Sequence, residues 1–276
     1  MNNKKISIGL ALSGGSALGA AHIGVIKALS ENNIPISCVS GTSAGSIVAS
    51  FLAFGVSLER MIEISKTIDW STISEFRYSK MGLESNEPIS EITIATIGDV
   101  NIEDAKIPLA IVATDIDTGK EVILRKGNVA KAIMASTCLP GIFIPIQNKG
   151  KKLVDGGLVE NLPLSPLKSM GAEINIGVNL RHDNKKTRNI LDVISNAYNT
   201  LSKAQTILLD DQADLIIRPN VKKFDSFDFE KHDILIEEGY KATILMMPKI
   251  KERIFAPSSE SKSFIQKIFD FWKFKK

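Results

Sequence analysis

The chain has 276 residues, 44% of them apolar, with 34 basic against 31 acidic side chains. That is enough apolar material for one sizeable core, and the near-balance of charge excludes the global basic field of a nucleic-acid binder. Two cysteines, Cys38 and Cys138, sit in apolar or small-residue settings without paired spacing; this excludes a disulfide framework or a cysteine zinc site and fits a reduced, cytoplasmic compartment.

Lys4 and Lys5 precede an apolar run over residues 6–12. The run is too short for a signal peptide and ends in Ser13-Gly14-Gly15, so it reads as a first strand. No stretch reaches about 18 consecutive apolar residues, so no transmembrane helix is expected. Residues 14–19 form a glycine-rich turn, and 20–30 carry Ile23, Ile26 and Leu29 at helical spacing. Residues 36–40 read as a second strand, followed by the turn Gly41-Thr42-Ser43-Ala44-Gly45 and an apolar helix over 46–54. A helix over 58–74 gives way to polar, irregular sequence up to residue 86, and 90–97 is another short helix. Strands at 109–114 and 121–125 flank the turn Asp117-Thr118-Gly119, and a helix over 129–136 stops before Pro140. A strand at 174–179, a long helix over 190–209, a strand at 215–218 and a last helix over 234–246 complete the pattern. Strands alternating with helices predict an α/β sandwich around a largely parallel sheet.

Pro257-Ser258-Ser259 marks the expected boundary between a main domain, 1–256, and a tail, 257–276. Residues 262–276 hold five lysines and one aspartate, a net charge of +4, so the rest of the chain carries −1. On a helical wheel Phe264, Ile265, Ile268, Phe269, Phe271 and Trp272 share one arc, opposite Lys262, Gln266, Asp270 and Lys273. A basic amphipathic helix of this kind suits an anionic membrane surface; the alternative is a helix docked on the protein's own core.

Strand, Gly-x-Ser-x-Gly, helix is the context of a nucleophile elbow, which presents Ser43 on a strained turn while Gly41 and Gly45 let backbone segments approach closely. The helix dipole beyond it favours developing negative charge. Two readings compete for Gly14-Gly15-Ser16-Ala17-Leu18-Gly19. A dinucleotide loop lacks its middle glycine, replaced by Ser16, and the acid expected about 20 residues on. An oxyanion hole needs only backbone amides, which Gly15 and Ser16 supply.

A serine nucleophile needs a base, and the three histidines offer none in a triad context: His22 reads as buried in the first helix, and His182 and His232 lie in polar surroundings. A partly desolvated carboxylate can serve instead. Asp155, in Leu153-Val154-Asp155-Gly156-Gly157, is the best candidate, against the plainer reading of a solvated turn. Asp115 and Asp117 fail as a calcium loop, because Gly119 falls one position early and Lys126 stands where a bidentate Glu belongs, and read as a hydrogen-bonded turn.

Together these segments resemble the patatin-like phospholipase family. The resemblance runs through 14–25, 41–45, 113–119, the segment Ala135-Ser136-Thr137-Cys138-Leu139-Pro140-Gly141-Ile142-Phe143, then Asp155-Gly156-Gly157 with Asn161-Leu162-Pro163, and covers roughly residues 6–245. It implies a three-layer α/β/α sandwich and a serine esterase of phospholipase A or lysophospholipase type. It also implies a Ser43–Asp155 dyad without histidine, metal or cofactor, and an oxyanion loop at Gly14, Gly15, Ser16 and Gly19. Gly41, Gly45, Gly156 and Gly157 are the motif glycines, and the expected substrate is a lipid acyl ester. The expected location is cytoplasmic and peripheral to the inner membrane face. The family's first loop usually has a third glycine where Ser16 stands and a basic residue where Leu18 stands. A lipid-binding or regulatory protein on the same scaffold is the alternative, against which the retention of both Ser43 and Asp155 argues.

Overall fold

The computed structural model describes residues 6–180, 183–184, 186–209 and 212–255. His182 and the basic segment 257–276 lie outside the described residues. The first half of the chain runs β1 (Ile8–Leu12), α1 (Ala20–Glu31), β2 (Cys38–Thr42), α2 (Ala44–Phe54), α3 (Leu58–Thr67), α4 (Trp70–Ile73), β3 (Glu75–Ser79), β4 (Gly82–Ser85), α5 (Glu87–Ile97), β5 (Leu109–Asp115) and β6 (Lys120–Leu124). The second half runs α6 (Val129–Ser136), β7 (Ile146–Asn148), β8 (Lys151–Asp155), α7 (Ser165–Ser169), β9 (Ile174–Val178), α8 (Ile190–Leu209), β10 (Leu215–Ile217) and α9 (His232–Phe255).

Every residue of β1, β2 and β5 is buried, as strands covered on both faces must be. Ile8, Leu10 and Leu12 point into the main core with α1 and α2. Ala11 and Cys38 point the other way, onto Leu162, Leu164 and Leu167 around α7. The three layers follow from this alternation. The sheet order is β10-β9-β1-β2-β5-β8-β7, with β6 also on β5. The pairs from β10 to β5 are parallel, and those made by β6, β7 and β8 are antiparallel. The sheet is thus mostly parallel with an antiparallel extension at one end, as the α/β sandwich reading requires.

Two expected elements differ. The helix expected over 58–74 breaks at Ile68–Asp69. Asp69 starts α4 afresh: its carboxylate accepts from Thr72 N at 3.0 Å, and its own amide donates to Thr72 Oγ1 at 2.8 Å, a capping box that a continuous helix cannot form. The segment read as irregular up to residue 86 holds the β3–β4 hairpin. Strands β7 and β8 and helix α7 also went unread in the sequence.

Helix α9 packs along α1 with glycine on each side of the crossing. A Cβ on Gly24 would strike the Ile236 carbonyl and come within 2.7 Å of Tyr240 N, and one on Gly239 would strike the Ala21 carbonyl. Backbone lies against backbone, so neither side can yield as a flexible side chain would. Among the described residues no helix is long and apolar enough to cross a membrane. Gly24→Ala is expected to push α9 off α1 and cost about 2 kcal/mol, as overpacking of a tight contact does, read as a fall in thermal midpoint of several degrees.

Candidate active site

Strand β5 holds the site together by its pairing. On one edge it pairs with β6 along Ile111–Asp115. On the other it pairs first with β2, ending at Thr42↔Val112, and then with β8, beginning at Asp155↔Ala113. Strand β8 runs antiparallel to β5, so its C-terminal end abuts the C-terminal end of β2. Ser43 and Asp155 therefore meet end to end across a seam in the sheet, although 112 positions separate them.

Ser43 has φ 53° and ψ −127°, a positive-φ conformation that costs a non-glycine residue of the order of 1–3 kcal/mol. Several contacts hold it there. Its amide donates to Ser136 Oγ at 2.9 Å, and that hydroxyl donates on to Val112 O at 2.6 Å. Its carbonyl accepts from Ser46 N at 2.8 Å and Ser46 Oγ at 2.6 Å. Next to it, Thr42 Oγ1 donates to Glu160 O at 2.8 Å. The flanking glycines are obligatory: a Cβ on Gly41 would lie 2.6 Å from Ser46 Cα, and one on Gly45 would lie 2.6 Å from the Ser13 carbonyl oxygen.

Asp155 is 1% exposed. Its amide donates to Cys138 O at 2.8 Å, and its carbonyl accepts from Thr114 Oγ1 at 2.8 Å. Oδ1 accepts from Gly157 N at 2.7 Å, while Oδ2 has no hydrogen-bond partner of standard geometry. Burial pushes the carboxyl up to about 6, against 3.8 ordinarily, and the Ser43 hydroxyl and the Gly157 amide offset part of that shift. The plainer reading of a solvated turn aspartate is thereby ruled out. Tyr198, on α8, stands over Gly157; its buried hydroxyl has no partner among the described residues, and burial together with the nearby Asp155 charge raises its pKa.

In the first loop the amide of Gly14 donates to Asn161 O at 3.1 Å, and that of Ala17 to Ser226 O at 3.0 Å. The amides of Gly15 and Ser16 between them make no hydrogen bond to the described protein. A Cβ on Gly14 would lie 3.1 Å from Ser43 Cβ, so the loop runs directly beside the serine. Gly19 packs on Ala44. Ser16 takes φ 51°, the conformation for which glycine is the default. Leu18 is wholly buried in the main core, so it is a packing residue and does not face the loop's open side.

His22 is fully buried, with Nε2 2.8 Å from the Ser13 carbonyl; burial lowers its pKa to about 4 and keeps the ring neutral. His232 borders the same pocket as Ser43, with Nδ1 3.4 Å from Phe229 O, and bonds to neither Ser43 nor Asp155. Asp115 accepts the amides of Asp117, Thr118 and Gly119 in the β5–β6 turn, away from the seam. Among the described residues no group of three His, Cys, Asp or Glu side chains is placed to hold a metal ion.

Ser43, Asp155, Gly14 and Gly15 open onto one pocket whose remaining walls are mainly apolar. Ile47, Val48 and Phe51 of α2, Met61 and Ile64 of α3, Ile89 and Ile92 of α5, and Leu139 and Phe143 line it. Several supports were not singled out from the sequence. Ser136 holds the elbow, and Asn86 fixes the end of α6 through Met134 O and Thr137 Oγ1. Asn161 ties the Asp-Gly-Gly segment to Ser202 of α8 at 2.8 Å.

A strained serine between a β-strand and a helix, beside a buried carboxyl group, thus opens onto a mainly apolar pocket. A family model described as Patatin-like phospholipase matches residues 10–168, and the chain belongs to that family. It is 30% identical over 276 aligned positions to lysophospholipase NTE1 of Mycosarcoma maydis, covering 88% of this chain and 15% of that one. It is 36% identical over 176 positions to an uncharacterised NTE family protein of Mycobacterium tuberculosis, covering 63% of this chain and 49% of the relative. The chain thus spans from under a fifth to about half of these relatives. The solved structure of VipD from Legionella pneumophila matches with a TM-score of 0.53 at 15% identity, covering 89% of this chain and 67% of the other, a likeness of fold.

Two predictions follow from the strain and from the burial. Ser16→Gly is expected to leave the loop in place and to stabilise the protein by up to about 1 kcal/mol, because relief of the left-handed strain outweighs the added freedom of the unfolded chain; chemical denaturation reads it. Asp155 works the other way from a salt-bridged carboxylate. Between pH 3.8 and about 6 the folded chain keeps a proton that the unfolded chain has lost. Stability therefore falls as pH rises through that window, and the loss persists in full above it. Asp155→Asn is expected to raise stability at pH 7 by on the order of 2 kcal/mol, with the difference vanishing below about pH 4.

Proposed function

We propose that the protein is a serine acyl hydrolase that cleaves acyl esters of phospholipids or lysophospholipids through Ser43 and Asp155. The observation that carries this is the seam on β5, which sets a strained serine against a buried carboxyl group of raised pKa in the lining of a mainly apolar pocket.

The chemistry follows from the groups present. Asp155 takes the Ser43 proton as Oγ attacks the ester carbonyl carbon. The free amides of Gly15 and Ser16, with the first-turn amides of α2, stabilise the oxyanion. Asp155 returns the proton to the leaving alcohol, which departs and leaves an acyl-Ser43 ester. A water then gives its proton to Asp155 and attacks the acyl carbon. The fatty acid leaves, and the proton returns to Ser43. A base that titrates near 6 is ionised at neutral pH yet basic enough to accept a proton in the transition state. The apolar walls suit an acyl chain, and the family relationship supports a lipid substrate.

The test is labelling with a fluorophosphonate probe followed by kinetics on a soluble short-chain ester. Ser43 is expected to be the labelled residue, and Ser43→Ala to lose activity by about three orders of magnitude or more. kcat/KM is expected to fall about tenfold per pH unit below about 6, following Asp155. Folded protein that takes no label would instead assign the scaffold to lipid binding without hydrolysis.

A further inference from the structure

Large apolar side chains stand in solvent around the rim of the pocket. On the β3–β4 hairpin Phe76 is 81% exposed and Tyr78 78%, and Met81 and Leu83 also lie open. The hairpin is continuous with the pocket wall on three sides. Its first strand leaves α4, whose Trp70 and Ile73 line the pocket, and its second leads into α5, which contributes Ile89 and Ile92. Its flank is stitched to the segment 142–144, whose Ile142 and Phe143 line the pocket, by Leu83 N to Ile142 O at 2.9 Å and Ile144 N to Glu84 O at 3.0 Å. Across the opening, α8 begins with exposed Ile190 and Val193; the next residue, Ile194, packs with Trp70 and Phe143 inside. Seven of the thirteen large exposed apolar side chains among the described residues lie on the hairpin or at the pocket-side starts of α8 and α9.

The hairpin segment mixes both signs, with Arg77 and Lys80 among Glu75, Glu84 and Glu87. Arg77 is bound to Glu75 at 2.8 Å and to Glu87 at 3.2 Å. An electrostatic partner is therefore not what the surface fits. Aromatic side chains with one polar tip, projected from a short ribbon beside an apolar cavity, suit the boundary between lipid headgroups and acyl chains. Contiguous exposed apolar surface marks an interaction site.

We infer that the β3–β4 hairpin, with the start of α8, is a lipid-docking rim. It inserts into a lipid surface, so that an acyl chain passes from that surface into the pocket without crossing water. The inference rests on the reading that the pocket takes an acyl chain, and it assigns the contact to insertion rather than to attraction by anionic headgroups.

The full chain carrying Leu83→Cys, labelled with an environment-sensitive fluorophore, tests it, since Cys38 and Cys138 are buried. With vesicles of phosphatidylcholine alone the emission is expected to shift to the blue, to be quenched by nitroxide-labelled lipid, and to persist at about 0.5 M salt, where headgroup attraction is screened. In parallel, Phe76→Ser with Tyr78→Ser is expected to hydrolyse vesicle lipid roughly tenfold more slowly and a soluble short-chain ester at the wild-type rate. A silent fluorophore, a signal lost at high salt, or a double variant that matches wild type on vesicles would overturn the rim. A silent fluorophore with concentration-dependent dimerisation would give the patch to a second copy of the chain. If the wild type hydrolyses neither substrate while the fluorophore still responds, the hydrolase reading fails and the docking stands. If the soluble ester is hydrolysed and the fluorophore is silent, the docking fails alone.

Discussion

The site depends on one constraint of strand pairing. Strand β5 is longer than the part of it that β2 covers, and the uncovered remainder of the same edge is taken by β8 from the opposite direction. A parallel neighbour would carry its chain past the seam. The antiparallel one stops there and turns its last residue toward the end of β2. From that single reversal come the closeness of Ser43 to Asp155, the place of Ser136 beneath the Ser43 amide, and the junction of Thr42 with Glu160. The parallel part of the sheet then acts as a rigid platform, wedged between the layer of α1, α2 and α9 and the layer around α7.

Two unfavourable terms are concentrated at the seam. Ser43 holds a backbone conformation that side chains avoid, and Asp155 holds a carboxyl group away from water. Neither is needed for a stable α/β sandwich. Strain and desolvation of this kind persist where surrounding structure over-determines them, and they cluster at working sites. The remainder of the protein offsets them through a core buried on both faces of five parallel strands.

Much of this was legible in the sequence where the signal is local. The elbow declares itself because Gly41 and Gly45 are needed within two residues of Ser43, and the helices at 20–30, 129–136 and 190–209 carry their own periodicity. Asp155 was found as a residue, but not its environment. Strand β8 reads Lys-Lys-Leu-Val-Asp, with only its last three residues buried, and its place is fixed by pairing with β5, which no local pattern records. Ser136 stands in a segment that carries the family resemblance, but its role is not legible there, because only the fold brings it under residue 43. Asp69, in a run long enough for one helix, splits it by capping the next. The hairpin was missed because its alternation, Glu-Phe-Arg-Tyr-Ser, puts apolar groups into solvent instead of a core. His22 read correctly as structural, since its apolar neighbours speak for burial.

The bond from the Ser43 amide to Ser136 spans 93 positions, and that from Thr42 to Glu160 spans 118. Contacts of such sequence separation form late, after the loops between them have closed. During synthesis the hydroxyl that steadies the turn, on Ser136, follows the serine by 93 positions, and the carboxylate of Asp155 follows it by 112. The serine and the carboxylate are thus kept apart in time, and they meet only once the sheet edge that joins them has been completed.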